Sequence, residues 1–98
     1  MFLHIGQAFM VSTPSILGIF DLDTATHGRV TRDFLRRAEE EGRVIPISEE
    51  ELPKSFLLCE DLTGTHWVYL SPLHAATLAR RAGLGFGAMN SQWEGYYG

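Results

Sequence analysis

Ninety-eight residues, 45% hydrophobic and 11% aromatic, suffice for one small domain with a single core and argue against a second. Twelve acidic residues against eight basic ones give a net charge of -4, which weighs against a general polyanion binder, because phosphate contacts come mainly from Lys and Arg. The single cysteine, Cys59, excludes an intrachain disulfide, no apolar run approaches the ~20 residues of a membrane span, and no charged-then-apolar leader opens the chain, so a cytoplasmic location is expected.

Phe2, Leu3, His4 and Ile5 alternate up to Gly6-Gln7, and Ala8 to Val11 begins a second short strand, predicting a hairpin with a tight glycine-containing turn. His4 reads as a hydrogen-bonded structural histidine. Ser12 to Ser15 is a loop, since Pro14 cannot donate to a ladder. Ile16 to Asp23 is apolar on both faces until Asp21, which predicts a central strand, with Gly18 marking a bulge or the close approach of another backbone.

Thr24 to Gly28 reads as a connector into an amphipathic helix from about Arg29 to Glu41. Its apolar stripe is Val30, Phe34, Leu35 and Ala38, and Gly42 is placed as its stop. Asp33 with Arg37 and Arg36 with Glu40 are i,i+4 pairs in the favourable order, whereas Glu39, Glu40 and Glu41 crowd the end of the helix where the macrodipole disfavours them. Arg43 to Ile47 is an edge strand because of Pro46, followed by the charged loop Ser48 to Pro53.

Lys54 to Glu60 and His66 to Leu70 form a hairpin turning through Asp61 to Thr65. Trp67 and Tyr69 share one face of the second strand, Val68 and Leu70 the other, so both faces are covered or one is an interface. Cys59, within an apolar run, reads as a small buried hydrophobe. Ser71-Pro72 predicts a helix start, with Ala75, Leu78, Ala79 and Ala82 as its stripe and Gly83 as its end. From residue 84 to 98 the periodicity dissolves into glycines interleaved with Phe86, Trp93, Tyr96 and Tyr97. That stretch is expected to be a tail without fixed secondary structure, or one whose aromatics dock on a neighbouring subunit. The expectation is an α+β domain over residues 1–83, a small mainly antiparallel sheet with two helices in the order β-β-β-α-β-β-β-α.

Several strings within that order, Phe2-Leu3-His4-Ile5-Gly6, Val11-Ser12-Thr13, Ile16 to Asp21, Pro53-Lys54-Ser55 and Leu70-Ser71-Pro72-Leu73 with Thr77-Leu78, resemble the Rem family of bacterial extracellular-matrix regulators, closer to its RemB branch than to RemA. The resemblance spans residues 1 to about 83. It implies a fold related to LytTR-type DNA-binding domains, ring-like homo-oligomers and, for RemA, binding to DNA that activates biofilm-matrix genes. In the family, DNA contact is attributed to basic residues before the central strand and before the hairpin. Here those positions read Thr13-Pro14-Ser15 and Glu49-Glu50-Glu51-Leu52-Pro53, which leaves only Lys54 of that set.

Two readings follow. In the first, the chain is an oligomeric regulator of transcription that binds double-stranded DNA through Lys54 and the Arg29, Arg32 and Arg36 face of the first helix, repeated around a ring. In the second, it has lost DNA binding and is a homo-oligomeric scaffold or protein-interaction module, with Phe9, Trp67, Tyr69 and Trp93 as interface residues. A metal site or enzyme built on His4, Asp21, Asp23 and His27 is disfavoured: none of the usual metal spacings, phosphate-cradling loops or nucleophile motifs is present. No catalytic residue, cofactor, metal, membrane or small-molecule substrate is expected.

Overall fold

A computed structural model describes residues 1–83; the readings made for residues 84–98, Trp93 included, lie outside the described residues. The elements run β1 (Phe2–Gly6), β2 (Phe9–Ser12), a 3-10 turn (Thr13–Ser15), β3 (Ile16–Asp21), α1 (Leu22–Ala25), α2 (Arg29–Glu40), β4 (Val44–Pro46), β5 (Ser55–Glu60), β6 (His66–Ser71) and α3 (Ala75–Arg81). The class is α+β, with two sheets rather than one and one more helix than expected. β1 and β2 form a separate antiparallel hairpin, and the larger sheet has the order β3-β5-β6-β4.

That order corrects the reading of Ile16 to Asp23 as a central strand. β3 stands at the margin of the sheet, pairing antiparallel with β5, and β5 and β6 occupy its middle. An apolar pattern on both faces reports layers above and below, and says nothing of neighbours to the sides. β4, which contains Pro46, is at the other margin and runs parallel to β6, so the sheet is mixed. Gly18 follows a break in the β3 register between Ile16 and Gly18, as a bulge requires. What approaches it is a side chain: a Cβ at Gly18 would lie 2.4 Å from the ring of Phe20, which stacks on Phe56 at 4.9 Å between centroids.

Each face of the sheet carries its own core. On one, Ile19, Leu57, Cys59 and Ile47 meet Leu3, Ile5 and Val11 of the hairpin and Leu78 of α3, with Tyr69, Leu73, Ala75 and Ala82 partly buried around them. On the other, Phe56 and Val68 meet Ala38 of α2, with Phe20, Leu22, Ala25, Phe34, Leu35 and Leu70 around them. The molecule is therefore three-layered: hairpin and α3, sheet, then α1 and α2. The α2 stripe differs from expectation at one end. Val30 is 84% exposed, because at ~100° per residue Thr31, Phe34, Leu35 and Ala38 share one face and Val30 lies well to its side.

Local chemistry accounts for the remaining departures. The strand ends at Asp21 rather than Asp23: the Asp21 carboxylate accepts from the Thr24 amide at 3.0 Å and caps α1, so the connection opens with a short helix. Ser71 does not cap α3 either. It is the last residue of β6, and α3 starts at Ala75 behind His74, which makes no side-chain cap. The Ser71 hydroxyl, fully buried, instead donates to the Ile5 carbonyl at 2.7 Å and accepts from the Leu73 amide at 3.0 Å. Its ladder partner Ser55, equally buried, donates to the Leu73 carbonyl at 2.7 Å. In the hairpin turn Gly6 and Gln7 take φ of 130° and 50°, and His4 Nε2 reaches the Gln7 carbonyl.

Replacing Ser71 by Ala should lower the unfolding free energy by about 1–3 kcal/mol, since it strips a buried carbonyl and a partly buried amide of their partner. Urea unfolding of the variant measures this; a change within error would mean that the neighbouring backbone closes over the loss.

Candidate functional site

Four of the arginines are engaged locally. Arg29 and Arg36 lie on the exposed side of α2 and are both engaged with Asp33, at 3.8 and 3.7 Å, and Arg36 also reaches Glu40 at 3.6 Å. Asp33 thus pairs with Arg29 and Arg36 in place of the expected Arg37. The guanidinium of Arg32 donates to the carbonyls of Thr26 and His27, both at 2.9 Å, and so clasps the turn between α1 and α2. At the far end Arg43 donates to Glu41 at 2.7 Å and to the His66 carbonyl at 2.7 Å, tying the end of α2 to the sheet. With four arginines against Asp33, Glu39, Glu40 and Glu41, the helix and its cap present no net positive charge.

Lys54 lies at the end of the sheet opposite Arg43, beside the start of α1. Its amide donates to the Ser71 carbonyl at 2.8 Å and its carbonyl accepts from the Leu22 amide at 3.0 Å, while its side chain is exposed and, among the described residues, makes no ion pair. The acidic loop leading to it is ordered by Ser48, whose hydroxyl accepts from the amides of Glu50 and Glu51. An open groove of about 360 Å³ beside that loop is lined by Gln7, Ile47, Ser48, Glu49 and Glu50. A phosphate backbone meeting Lys54 would meet these carboxylates in the same region.

The aromatic candidates do come together with the hairpin. Trp67 and Tyr69 face the hairpin layer and line a cleft of about 210 Å³ with Met10, Val11, Ser12, Ser15, Cys59, Glu60 and Asp61. The wall is built by the β5–β6 turn. One oxygen of Asp61 accepts from the Thr63 amide and hydroxyl and the Thr65 amide at 2.9, 2.6 and 3.0 Å, and the other accepts from the Trp67 indole at 2.8 Å. These bonds, Thr63's hydroxyl first and the indole next, hold the Asp61 carboxyl well below the usual carboxylate range. At the floor, burial pushes the Cys59 thiol up to about 11, offset in part by a hydrogen bond with Ser15. A reactive thiol needs the opposite shift. Burial, then the nearby Cys59 and Asp61, also raise the Tyr69 hydroxyl.

Beside the cleft, the outer face of the hairpin carries Phe2, His4, Met10 and Ser12, the first three of them exposed. Phe2 is 66% exposed and Met10 56%, while Leu3, Ile5 and Val11 face the core; Phe9, on their side by alternation, is 40% exposed at the turn. The pairing of His4 with Met10 and of Phe2 with Ser12 sets this face. Phe9 was singled out by sequence reasoning; Phe2 and Met10 were not, although a short hairpin with apolar residues at consecutive rather than alternate positions is the signal that would have found them. Of the candidate metal ligands, Asp21 serves as a cap and His4 as a turn clamp. Among the described residues, no three His, Cys, Asp or Glu side chains lie close enough to hold a metal, and no helix is long and apolar enough to cross a membrane.

Two comparisons bear on these features. A family model described as RemA-like, extracellular matrix regulatory protein A-like, matches residues 2–82. The chain is also 35% identical over 82 residues to Extracellular matrix regulatory protein B of Bacillus subtilis (strain 168), an alignment covering 84% of this chain and 90% of that protein.

Two tests follow from the cleft. Asp61 has a folded pKa below its unfolded value of about 3.9, so its contribution is complete above that value and is lost as pH falls through the folded one. The Trp67 indole proton resonance should therefore hold its position from pH 7 to pH 4 and shift only in stronger acid, whereas Asp61→Ala should displace it already at pH 7. At pH 8, Cys59 in the folded chain should react with a thiol reagent roughly 10–100-fold more slowly than in denaturant, through its reduced thiolate fraction; equal rates would contradict its burial.

Proposed function

This chain belongs to the RemA-like family of extracellular matrix regulatory proteins, and from that premise we propose that it is a non-enzymatic cytoplasmic regulator of extracellular-matrix production that works as a homo-oligomer through protein contacts. The observation that carries the reading is the outer face of the β1–β2 hairpin. Phe2 and Met10 stand 66% and 56% exposed there, with Phe9 40% exposed at the adjoining turn, on a two-stranded sheet whose other face packs on the core. Contiguous apolar surface of this kind on a small soluble domain marks a contact site. In a closed assembly it would be buried once per copy, by an isologous contact in a dimer or a heterologous one in a ring.

The geometry of the charges favours protein over nucleic acid as the partner. Direct recognition of a duplex relies on cations free to replace counterions along the phosphates. Arg32 is committed to two backbone carbonyls, Arg29 and Arg36 to carboxylates of their own helix, and Lys54 is flanked in sequence by the acidic loop. A second reading, in which the oligomer contacts DNA in keeping with a LytTR-like fold, has one observation on its side. The α2 ion pairs are exposed and loose at 3.6–3.8 Å. Such pairs are worth about 0–1 kcal/mol, so a phosphate could displace the carboxylates, and a ring would repeat each weak contact.

Light scattering at micromolar concentration should give an oligomer mass for the full chain. Phe2→Glu combined with Met10→Glu should reduce it to a monomer with unchanged circular dichroism; a monomeric parent chain would overturn the proposal. In the same buffer, fluorescence anisotropy with a labelled duplex should show no binding at low salt. Binding that falls steeply with salt and is weakened by Lys54→Glu would establish the DNA-contacting reading instead.

A further inference from the structure

The cleft beneath Trp67 has a shape and a position that the hairpin contact does not use. At about 210 Å³ it is smaller than the ~300–1,000 Å³ of pockets that enclose a cofactor or drug-sized ligand, and it suits one or two side chains. Its walls are set in advance. Asp61 fixes the indole of Trp67, and Val11 and Cys59 at the floor belong to the buried core. Its rim carries Glu60, whose carboxylate meets His66 Nε2 at 2.9 Å and keeps a second oxygen for another donor, together with Asp61, Ser12 and Ser15. An apolar ring carrying a polar N–H or O–H is what such a site receives.

The chain itself continues beyond Gly83 with a segment of that chemistry. Residues 84–98 contain Leu84, Phe86, Met89, Trp93, Tyr96 and Tyr97 and a single charge, Glu94. The segment also starts in the right layer. α3 packs against β1 and β3 on the hairpin side of the sheet, and Ala82 touches the same core cluster that floors the cleft. The ten residues from Gly83 to Trp93 can extend about 33 Å, and the molecule measures 33 × 32 × 29 Å, so the cleft is within reach. Tethering raises the effective concentration of the segment to roughly the millimolar range, well above that of a neighbouring copy at micromolar concentration.

We propose that an aromatic side chain of the chain's own segment 84–98 occupies the cleft formed by Met10, Ser15, Cys59, Trp67 and Tyr69, so that the C-terminal segment latches onto the hairpin layer. The latch lies beside the exposed face of Phe2 and Met10, and it fixes Met10, which belongs to both surfaces, in one arrangement.

The test is a nitroxide label on Gly95→Cys in the full chain, a position that leaves every aromatic in place; the buried Cys59, with its raised pKa, stays unlabelled. The amide signals of Met10 and Tyr69 and the indole signal of Trp67 should be lost to paramagnetic broadening, while those of α2, across the sheet, remain. Mixing labelled chains that carry no nitrogen-15 with unlabelled nitrogen-15 chains should restore the signals, since the contact lies within one chain. Trp93→Ala, Tyr96→Ala and Tyr97→Ala introduced together into the labelled chain should abolish the broadening. Signals that survive in the labelled chain would overturn the latch, and broadening seen in the mixed sample would assign the cleft to a neighbour's segment instead. Neither result depends on the hairpin contact, which Phe2→Glu alone, a substitution outside the cleft, tests separately by light scattering.

Discussion

The fold closes at one corner, where two buried serines join strands that the sequence keeps far apart. Ser55 and Ser71 face each other in the β5–β6 ladder and are both inaccessible to solvent. The hydroxyl of Ser71 reaches back 66 residues to the Ile5 carbonyl, and that of Ser55 reaches forward to the Leu73 carbonyl. Around them the Lys54 amide meets the Ser71 carbonyl, the Leu22 amide meets the Lys54 carbonyl and the Ile47 amide meets the Leu70 carbonyl. Five segments thus meet within one hydrogen-bonded cluster, with the bond between Ser71 and Ile5 at its buried centre. Apolar burial holds the layers against the sheet but is indifferent to small slides along it; the serines set where the hairpin stops and where α3 leaves. Gly6 fits the same corner closely, since a Cβ there would lie 3.2 Å from Ile47 and 3.3 Å from Pro72.

Much of this was legible in the sequence, and the rest was hidden for reasons that can be named. Local periodicity located every strand and the two longer helices, because alternation and the 3.6-residue stripe depend only on which residues face a core. It could not order the strands: β3 and β5 carry the same doubly apolar pattern, and only non-local pairing puts one at the margin and the other inside. The serine at position 71 reads locally as a helix cap followed by Pro72, and a bond to Ile5 has no sequence signal. Asp21 is the reverse case, for Asp at the end of a strand, followed three residues later by Thr24, carried a cap signal that the strand reading obscured.

The candidate site divides in the same way. That Trp67 and Tyr69 share a face follows from alternation alone, as does the burial of Cys59 from its apolar neighbours. That they meet Met10 follows from the hairpin folding over the sheet, which periodicity does not report. Composition also made the arginines look more available than they are, since seven of the eight bases are arginine and a sequence does not show which carbonyls a guanidinium will find. Arg32 and Arg43 are structural, each spanning from a helix end to backbone carbonyls of another segment.

The distribution of order around the cleft bears on how one small domain can offer two surfaces without their merging. The β5–β6 turn carries Leu62 fully exposed at its tip, a position that by itself invites fraying. Asp61 counters this with four hydrogen bonds accepted on its two carboxylate oxygens, three from the turn and one from Trp67, so the tip and the indole move together. The carboxylate stays ionised through the physiological range, which keeps those bonds charge-assisted. The hairpin, by contrast, is held by its inner residues Leu3, Ile5 and Val11 and by Ser71 at one end, leaving its outer residues free of the core. A wall ordered by hydrogen bonds therefore adjoins a hairpin face ordered only by its packing from beneath, and Met10 is the residue the two have in common.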